Sequence, residues 1–267
     1  MKPCLVVFSL DNWTIEYEGL LSLLSEREVK SLQVRGTEQE VFSLLAGYTL
    51  VKSLIRFRYH ADGELRRERG GKPYLASPNW KGSFSVSHSG NMVVCGIHPT
   101  GQIGVDVERP RPIMDELLDE CLSDQEKAFC QESSTEETKR LRFFRFWTLK
   151  EAYLKAQGSR FGEVAFSELD FSRMGYEPES AETGRKFHAV YPQLMEKDKE
   201  PNAALQFSHF ELPEGYSVAA CCGETFSAPE LLSPHHIELP KPVSIVTRIQ
   251  RGLGLRKVPG LWSSFFS

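Results

Sequence analysis

Apolar and polar positions repeat along this chain with two different periods, and the changes of period outline its elements. "CLVVFSL" from Cys4 and "IGVDVE" from Ile103 read as largely buried strands. "LSEREVKSL" from Leu24 and "LSDQEKAFC" from Leu122 read as helix starts. Each carries a Ser-x-x-Glu capping box, Ser25 with Glu28 and Ser123 with Glu126. "YTLVK" at Tyr48 and "WTLKE" at Trp147 lie in apolar-rich helical stretches. Two strands follow in each half, "GSFSVSHSG" with "MVVCGIHP" and "ALQFSHFEL" with "YSVAACCG", separated by turn residues. The members recur in one order at an offset of about one hundred residues, which predicts an internal duplication. The expected fold is α+β, a pseudo-twofold duplication of two similar halves spanning 1–101 and 102–223. Ligand sites favour such interfaces, so the site is expected in the cleft between the halves.

The helix containing "FFRFWTLKEAYLKAQG", from Phe143, is predicted to stop at Gly158. Trp147, Glu151 and Lys155 fall at i, i+4 and i+8 on one face, with Lys150 roughly a quarter turn away. After Gly223 the segment 224–267 changes character. "SAPELLSPHHIELPKP" reads as a Pro-punctuated linker or surface strap, and the basic, aromatic end is expected to dock on the body through Leu261, Trp262, Phe265 and Phe266.

Composition narrows the function. With 40% apolar and 25% charged residues and a net charge of −4, the chain offers no electrostatic case for nucleic acid or a membrane surface. No apolar run approaches the ~18 residues of a spanning helix, and the start lacks a signal-peptide pattern, so a cytoplasmic protein is expected. Six cysteines, with no CxxC pair, suit reduced core thiols better than disulfides or zinc.

The chemistry concentrates in three places. In "IGVDVE", Asp106 and Glu108 leave one face of a strand side by side, and such close like charges need a cation or a proton between them. Glu151 is a candidate third carboxylate, though with Lys155 it also fits an exposed i,i+4 pair. Magnesium takes few protein carboxylates and completes its shell with water and phosphate oxygens, which would give Lys150 and Lys155 a purpose as point charges. In "GGKPYL", Lys72 sits on a rigid extended segment, and Ser87, His88 and Ser89 end a strand at Gly90, suited equally to a phosphate or to a polar turn.

"GKPYL", "FSVSHSG", "IGVDVE" and "WTLKEAYLK", in this order and at these separations, resemble the 4′-phosphopantetheinyl transferases of the surfactin-synthetase-activating type, over roughly Leu5 to Gly223. The resemblance implies the fold of that family, with coenzyme A and Mg²⁺ bound between the halves. The implied reaction transfers the phosphopantetheine arm to a serine of an acyl or peptidyl carrier protein, releasing adenosine 3′,5′-bisphosphate. By the same resemblance Asp106, Glu108 and Glu151 are the metal ligands, and Lys72, Ser87, His88, Lys150 and Lys155 serve the coenzyme A phosphates, His88 near the 3′-phosphate. Glu151 is also the implied base for the carrier serine, directly or through metal-bound water, and Lys155 would neutralise the leaving group. Relatives usually have an arginine near the start of the helix equivalent to 40–54; here Glu40, Val41, Phe42 and Ser43 stand there, with Arg35 or Lys30 as substitutes.

Exchanging Asp106 for alanine is expected to abolish transfer and leave the fold intact, on the reading that a strand-end carboxylate is exposed. "RPRPIMDELL" from Arg109 fits either a carrier-docking loop or an ordinary Pro-stiffened one. A monomer is expected. Two other functions remain open at this point: a Mg²⁺-dependent hydrolase of coenzyme A or a nucleotide pyrophosphate, and a non-catalytic carrier-binding relative.

Overall fold

The computed structural model describes residues 2–12, 24–32, 36–67, 71–158, 164–172, 175–178, 187–191, 205–223 and 230–231. Most of the 224–267 extension, Arg35 and the docking expected of the C-terminal aromatics therefore lie outside the described residues.

The first half runs β1 (Cys4–Ser9), α1 (Glu26–Leu32), α2 (Glu38–Tyr59), a hairpin of β2 (Glu64–Arg67) and β3 (Pro73–Ala76), then β4 (Ser83–Ser89) and β5 (Met92–His98). The second runs β6 (Ile103–Glu108), α3 (Asp115–Cys121), α4 (Asp124–Gln131), α5 (Glu136–Gln157), β7 (Gly175–Pro178), β8 (Phe187–Tyr191), β9 (Gln206–Glu211) and β10 (Ser217–Cys222). A last short strand, β11 (Glu230–Leu231), returns to pair in parallel with β1.

Strand order supports the duplication. One sheet contains β1-β5-β4 and the other β6-β10-β9, in each case antiparallel neighbours in the same spatial sequence. The first adds β11 beyond β1 and the second adds β8 and β7 beyond β9. Both expected capping boxes form: Glu28 and Glu126 each bond back to the backbone of Ser25 and Ser123, at 2.8 and 2.9 Å. These carboxylates are buried, and each meets a lysine from the long helix, Lys52 to Glu28 at 2.6 Å and Lys150 to Glu126 at 2.5 Å. The repeat is thus one position out of the register expected from "YTLVK" and "WTLKE": Lys52 answers to Lys150, not to Glu151. Matching buried ion pairs, and not matching letters, set the true alignment.

Three apolar layers result. α2 packs on one face of the first sheet, burying Leu45, Leu50 and Val51 with Phe84 and Val93. α5 packs on one face of the second, burying Phe143, Leu149 and Ala152 with Phe207 and Cys221. The remaining faces pack on each other, with Leu5, Val7 and Val94 against Ile103, Val105, Val107 and Val218. Strand β6 contributes to both of its layers because alternate side chains point to opposite faces. Its odd residues join the two sheets, and Gly104, Asp106 and Glu108 look toward α5. All six cysteines are buried thiols, none in a disulfide. Among the described residues no helix is long and apolar enough to cross a membrane.

Candidate active site

The site begins with Gly104. A Cβ built there would lie 1.9 Å from the Ala152 carbonyl oxygen and 2.4 Å from the Ala156 nitrogen, so only glycine lets α5 come this close to β6. The approach brings Glu151 and Lys155, one turn apart on α5, over Asp106. Gly158, at φ 74°, then ends the helix as expected, in the left-handed region.

Lys155 is the hub. Its Nζ lies 2.6 Å from Asp106 Oδ1, 3.1 Å from Ser87 Oγ and 3.9 Å from Glu151 Oε2. Burial works against its charge, yet Asp106, Glu151 and Glu108 together raise its pKa. Asp106 Oδ1 also accepts from Ser87 at 2.7 Å, whereas its Oδ2 is buried without a hydrogen-bond partner. Asp106 is 3% exposed, so the expectation of an exposed strand-end carboxylate is corrected: α5 covers the strand end. Glu108 accepts from Ser89 at 2.9 Å and from Arg111 at 3.0 Å. Burial raises its pKa, with Asp106 adding to the rise. Glu151 is raised to about 6, by burial first, opposed by Lys155 and reinforced by Asp106 and Glu108. Three carboxylates therefore share one field, with the Lys155 ammonium beside Asp106 and Glu151.

Among the described residues no group of three or more His, Cys, Asp or Glu side chains is gathered closely enough to hold a metal ion. The expected three-acid cluster is not closed, since Lys155 takes Asp106 Oδ1 and Arg111 takes Glu108. The donor chemistry nevertheless fits a hard divalent cation. It comprises two oxygen ligands on one strand face, a third opposite, and an orphaned buried oxygen on Asp106, a group that is costly to leave unmade.

Beside this cluster lies a cavity of about 220 Å³ lined by Tyr48, Arg67, Lys72, Phe84, Ser85 and Lys155, with the backbone turns at Gly71 and Gly158. Among the described residues its charged lining is cationic. Lys72 donates to the Ile103 carbonyl, and burial lowers its pKa to about 8. Arg67 donates to the Tyr48 hydroxyl at 2.8 Å, while its Nε is buried without a partner. Neither Arg67 nor Tyr48 stood out in the sequence. The signal available was the basic run "ELRRERGGK", whose second arginine a strand then turns inward.

Two expected contacts fall elsewhere. Lys150 is corrected: its side chain is fully buried, and Nζ donates to Glu126 and to the Cys121 and Phe166 carbonyls at 2.7 and 2.9 Å. One residue along a helix is a rotation of about 100°, which carries Lys150 off the Glu151 face and into the α4–α5 core. His88 is half-buried on the opposite side of β4 from Ser87, within electrostatic range of Glu40, and burial lowers its pKa. Glu40 itself closes a capping box with Thr37 at 2.7 Å, which gives the acid at this position a local structural role. Lys30 is exposed on α1.

Residues 102–221 match the model of the 4′-phosphopantetheinyl transferase superfamily. The match takes in most of the second half of the chain and shows similarity to that superfamily. The chain is 34% identical over 145 residues to the 4′-phosphopantetheinyl transferase HetI of Nostoc sp., covering 53% of this chain and 57% of that protein. It is 31% identical over 134 residues to a phosphopantetheinyl transferase of Thraustochytrium sp., covering 44% and 46%. To the 4′-phosphopantetheinyl transferase gsp of Aneurinibacillus migulanus it is 34% identical over 125 residues, covering 45% and 50%. The matched stretches thus span about half the length of these phosphopantetheinyl transferases. The superfamily match covers β6 and α5, the elements that carry Asp106, Glu108, Glu151 and Lys155.

Proposed function

We propose that this chain transfers the 4′-phosphopantetheine arm of coenzyme A to a serine of an apo acyl or peptidyl carrier protein, acting in the cytoplasm as a monomer. The observation that carries the reading is the junction of a cavity lined by Arg67, Lys72 and Lys155 with a carboxylate cluster through one shared residue, Lys155. A diphosphate laid in the cavity would meet Arg67, Lys72 and Lys155 and bring its reacting phosphorus beside Asp106 and Glu108. Asp106, Glu108 and Glu151 would hold Mg²⁺, which when bound supplies charge neutralisation at the diphosphate. Lys155, drawn toward the phosphates, would stabilise the leaving bisphosphate. Glu151 is the candidate acceptor of the serine proton; without a metal its pKa is raised to about 6, by burial first. Exposed Arg109, Arg111 and Met114, directly after Glu108, offer cationic and apolar contacts to an acidic carrier domain.

Incubation with Mg²⁺, coenzyme A and a panel of apo carrier proteins should add one phosphopantetheine mass to a carrier, read by intact mass spectrometry. Bisphosphate released without any carrier would instead assign a hydrolase. Failure to bind coenzyme A with Mg²⁺ would assign a non-catalytic relative.

The state of Glu151 gives a second check, in protein kept metal-free by chelator. Its folded pKa stands near 6 against an ordinary 4.5, so between those values the native state holds the extra proton and wild-type stability falls as pH rises. Glu151→Gln removes that titration. The stability advantage of Glu151→Gln over the parent, from urea denaturation, is expected to grow by about 2 kcal/mol across the interval and then level off. A difference independent of pH would disprove the assignment.

A further inference from the structure

The two sheets adjoin along β4 and β6, each at or near the edge of its own sheet. An edge strand presents backbone amides that need acceptors. Here side-chain hydroxyls supply them. Ser83 Oγ accepts from the Ile103 N–H at 3.1 Å and donates to the Gly101 carbonyl at 2.9 Å. Ser85 Oγ accepts from the Val105 N–H at 3.1 Å, and Ser89 Oγ from the Arg109 N–H at 3.0 Å. Each serine meets the residue 20 positions later, so β4 and β6 run alongside in one direction with hydroxyls as the rungs. At Ser87 the hydroxyl goes instead to Asp106 and Lys155.

The rung at Ser89 differs from that at Ser83 in where its proton goes. A serine hydroxyl has one proton to give. With a lone pair taken by the Arg109 amide, that proton is aimed at Glu108 Oε2, 2.9 Å away. The bond is charge-assisted, unlike the neutral one from Ser83 to Gly101. Arg111 reaches the same oxygen at 3.0 Å, but it is 61% exposed, and such pairs hold weakly.

We propose that Ser89 is a positioning residue for Glu108. It converts the register between the two halves into the orientation of a metal-holding carboxylate, so that docking of the halves and aiming of the site are one event. The inference rests on the reading of Asp106 and Glu108 as holders of a divalent cation, and Ser89 acts only through Glu108.

The test compares Ser89→Ala, Ser89→Thr and Ser83→Ala in the full chain. Binding of Mn²⁺ and of Mg²⁺ in the presence of coenzyme A is followed by titration calorimetry, beside thermal unfolding. Ser89→Ala is expected to bind the cation about tenfold more weakly, the order of loss seen when an outer partner of a metal ligand is removed. Ser89→Thr restores the hydroxyl and should bind like the parent. Ser83→Ala breaks an equivalent rung away from the carboxylates and should lose stability while keeping the parent's affinity. In carrier loading, Ser89→Ala should need more cation for half its maximal rate and reach nearly the parent's rate at saturation. Parent-like cation binding by Ser89→Ala sinks the proposal alone, as does an equal loss in Ser83→Ala, which would mean general loosening of the junction. A parent that binds no divalent cation overturns the carboxylate reading and this inference together.

Discussion

Replacing Asp106 by asparagine is expected to cut carrier loading at least about 100-fold, the scale on which removing one group that stabilises developing charge registers in rate. Asparagine keeps an oxygen where Ser87 and Lys155 meet Oδ1 at 2.7 and 2.6 Å, so the packing under α5 survives. It removes the charge that a divalent cation would need. Stability should change by no more than about 1 kcal/mol, because two effects oppose each other. Lys155, 31% exposed, loses a counter-ion, while Glu108 and Glu151, both pushed upward by Asp106, are relieved of its repulsion. Alanine is the poorer probe: at 3% exposure the site would be left with a void, and Lys155 would keep only Ser87 and the longer pair with Glu151. Intact mass measurement of the carrier, paired with urea denaturation of the variant, separates loss of chemistry from loss of fold. Loading at the parent rate with saturating Mg²⁺ would remove Asp106 from the site.

The second large effect concerns stability alone. Lys150→Met should destabilise the fold by about 3–5 kcal/mol, because it leaves Glu126 as an uncompensated buried charge. Both partners are fully buried, and Lys150 also satisfies two carbonyls that methionine cannot reach. Adding Glu126→Gln should recover part of the loss, since it removes the uncompensated charge while glutamine's one oxygen still accepts from either the Ser123 or the Phe171 amide, which meet the two carboxylate oxygens at 2.9 and 2.8 Å. Lys52→Met, at the equivalent place in the first half, should cost less because Lys52 is 18% exposed and Glu28 keeps its bonds to Ser25 and Leu65. Denaturation midpoints of the three variants decide it. A variant at Lys150 with parent stability and a raised KM for coenzyme A would return that lysine to the phosphate site.

The two lysines of "KEAYLK" show where legibility ended. Periodicity placed both on one helix and gave Lys155 the Glu151 face, which the 3.9 Å approach of the pair bears out. It also left Lys150 near enough to be counted as a phosphate contact. Only the partner across the fold settles that, and a capping-box glutamate more than twenty residues upstream has no reason, in one dimension, to be buried. The same holds for Arg67 and Tyr48, drawn into one cavity from a helix and a hairpin strand. The alternating serines of "GSFSVSHSG" were likewise visible as a pattern but silent as to what they bond, since β6 is their neighbour in space and not in sequence.

What the residues determined unaided was therefore whatever depends on near neighbours. Strand and helix periods, both capping boxes, the stop at Gly158 and the shared face of Asp106 and Glu108 follow from local backbone geometry, and the repetition of those elements exposed the duplication. Tertiary structure alone decided which charges meet. Whether a lysine faces a phosphate cavity or a buried glutamate depends on how α5 lies across β6, and that is fixed by contacts such as Gly104 against Ala152, made between segments nearly fifty residues apart. Coulomb and desolvation energies depend on distance and burial, which a one-dimensional pattern does not encode.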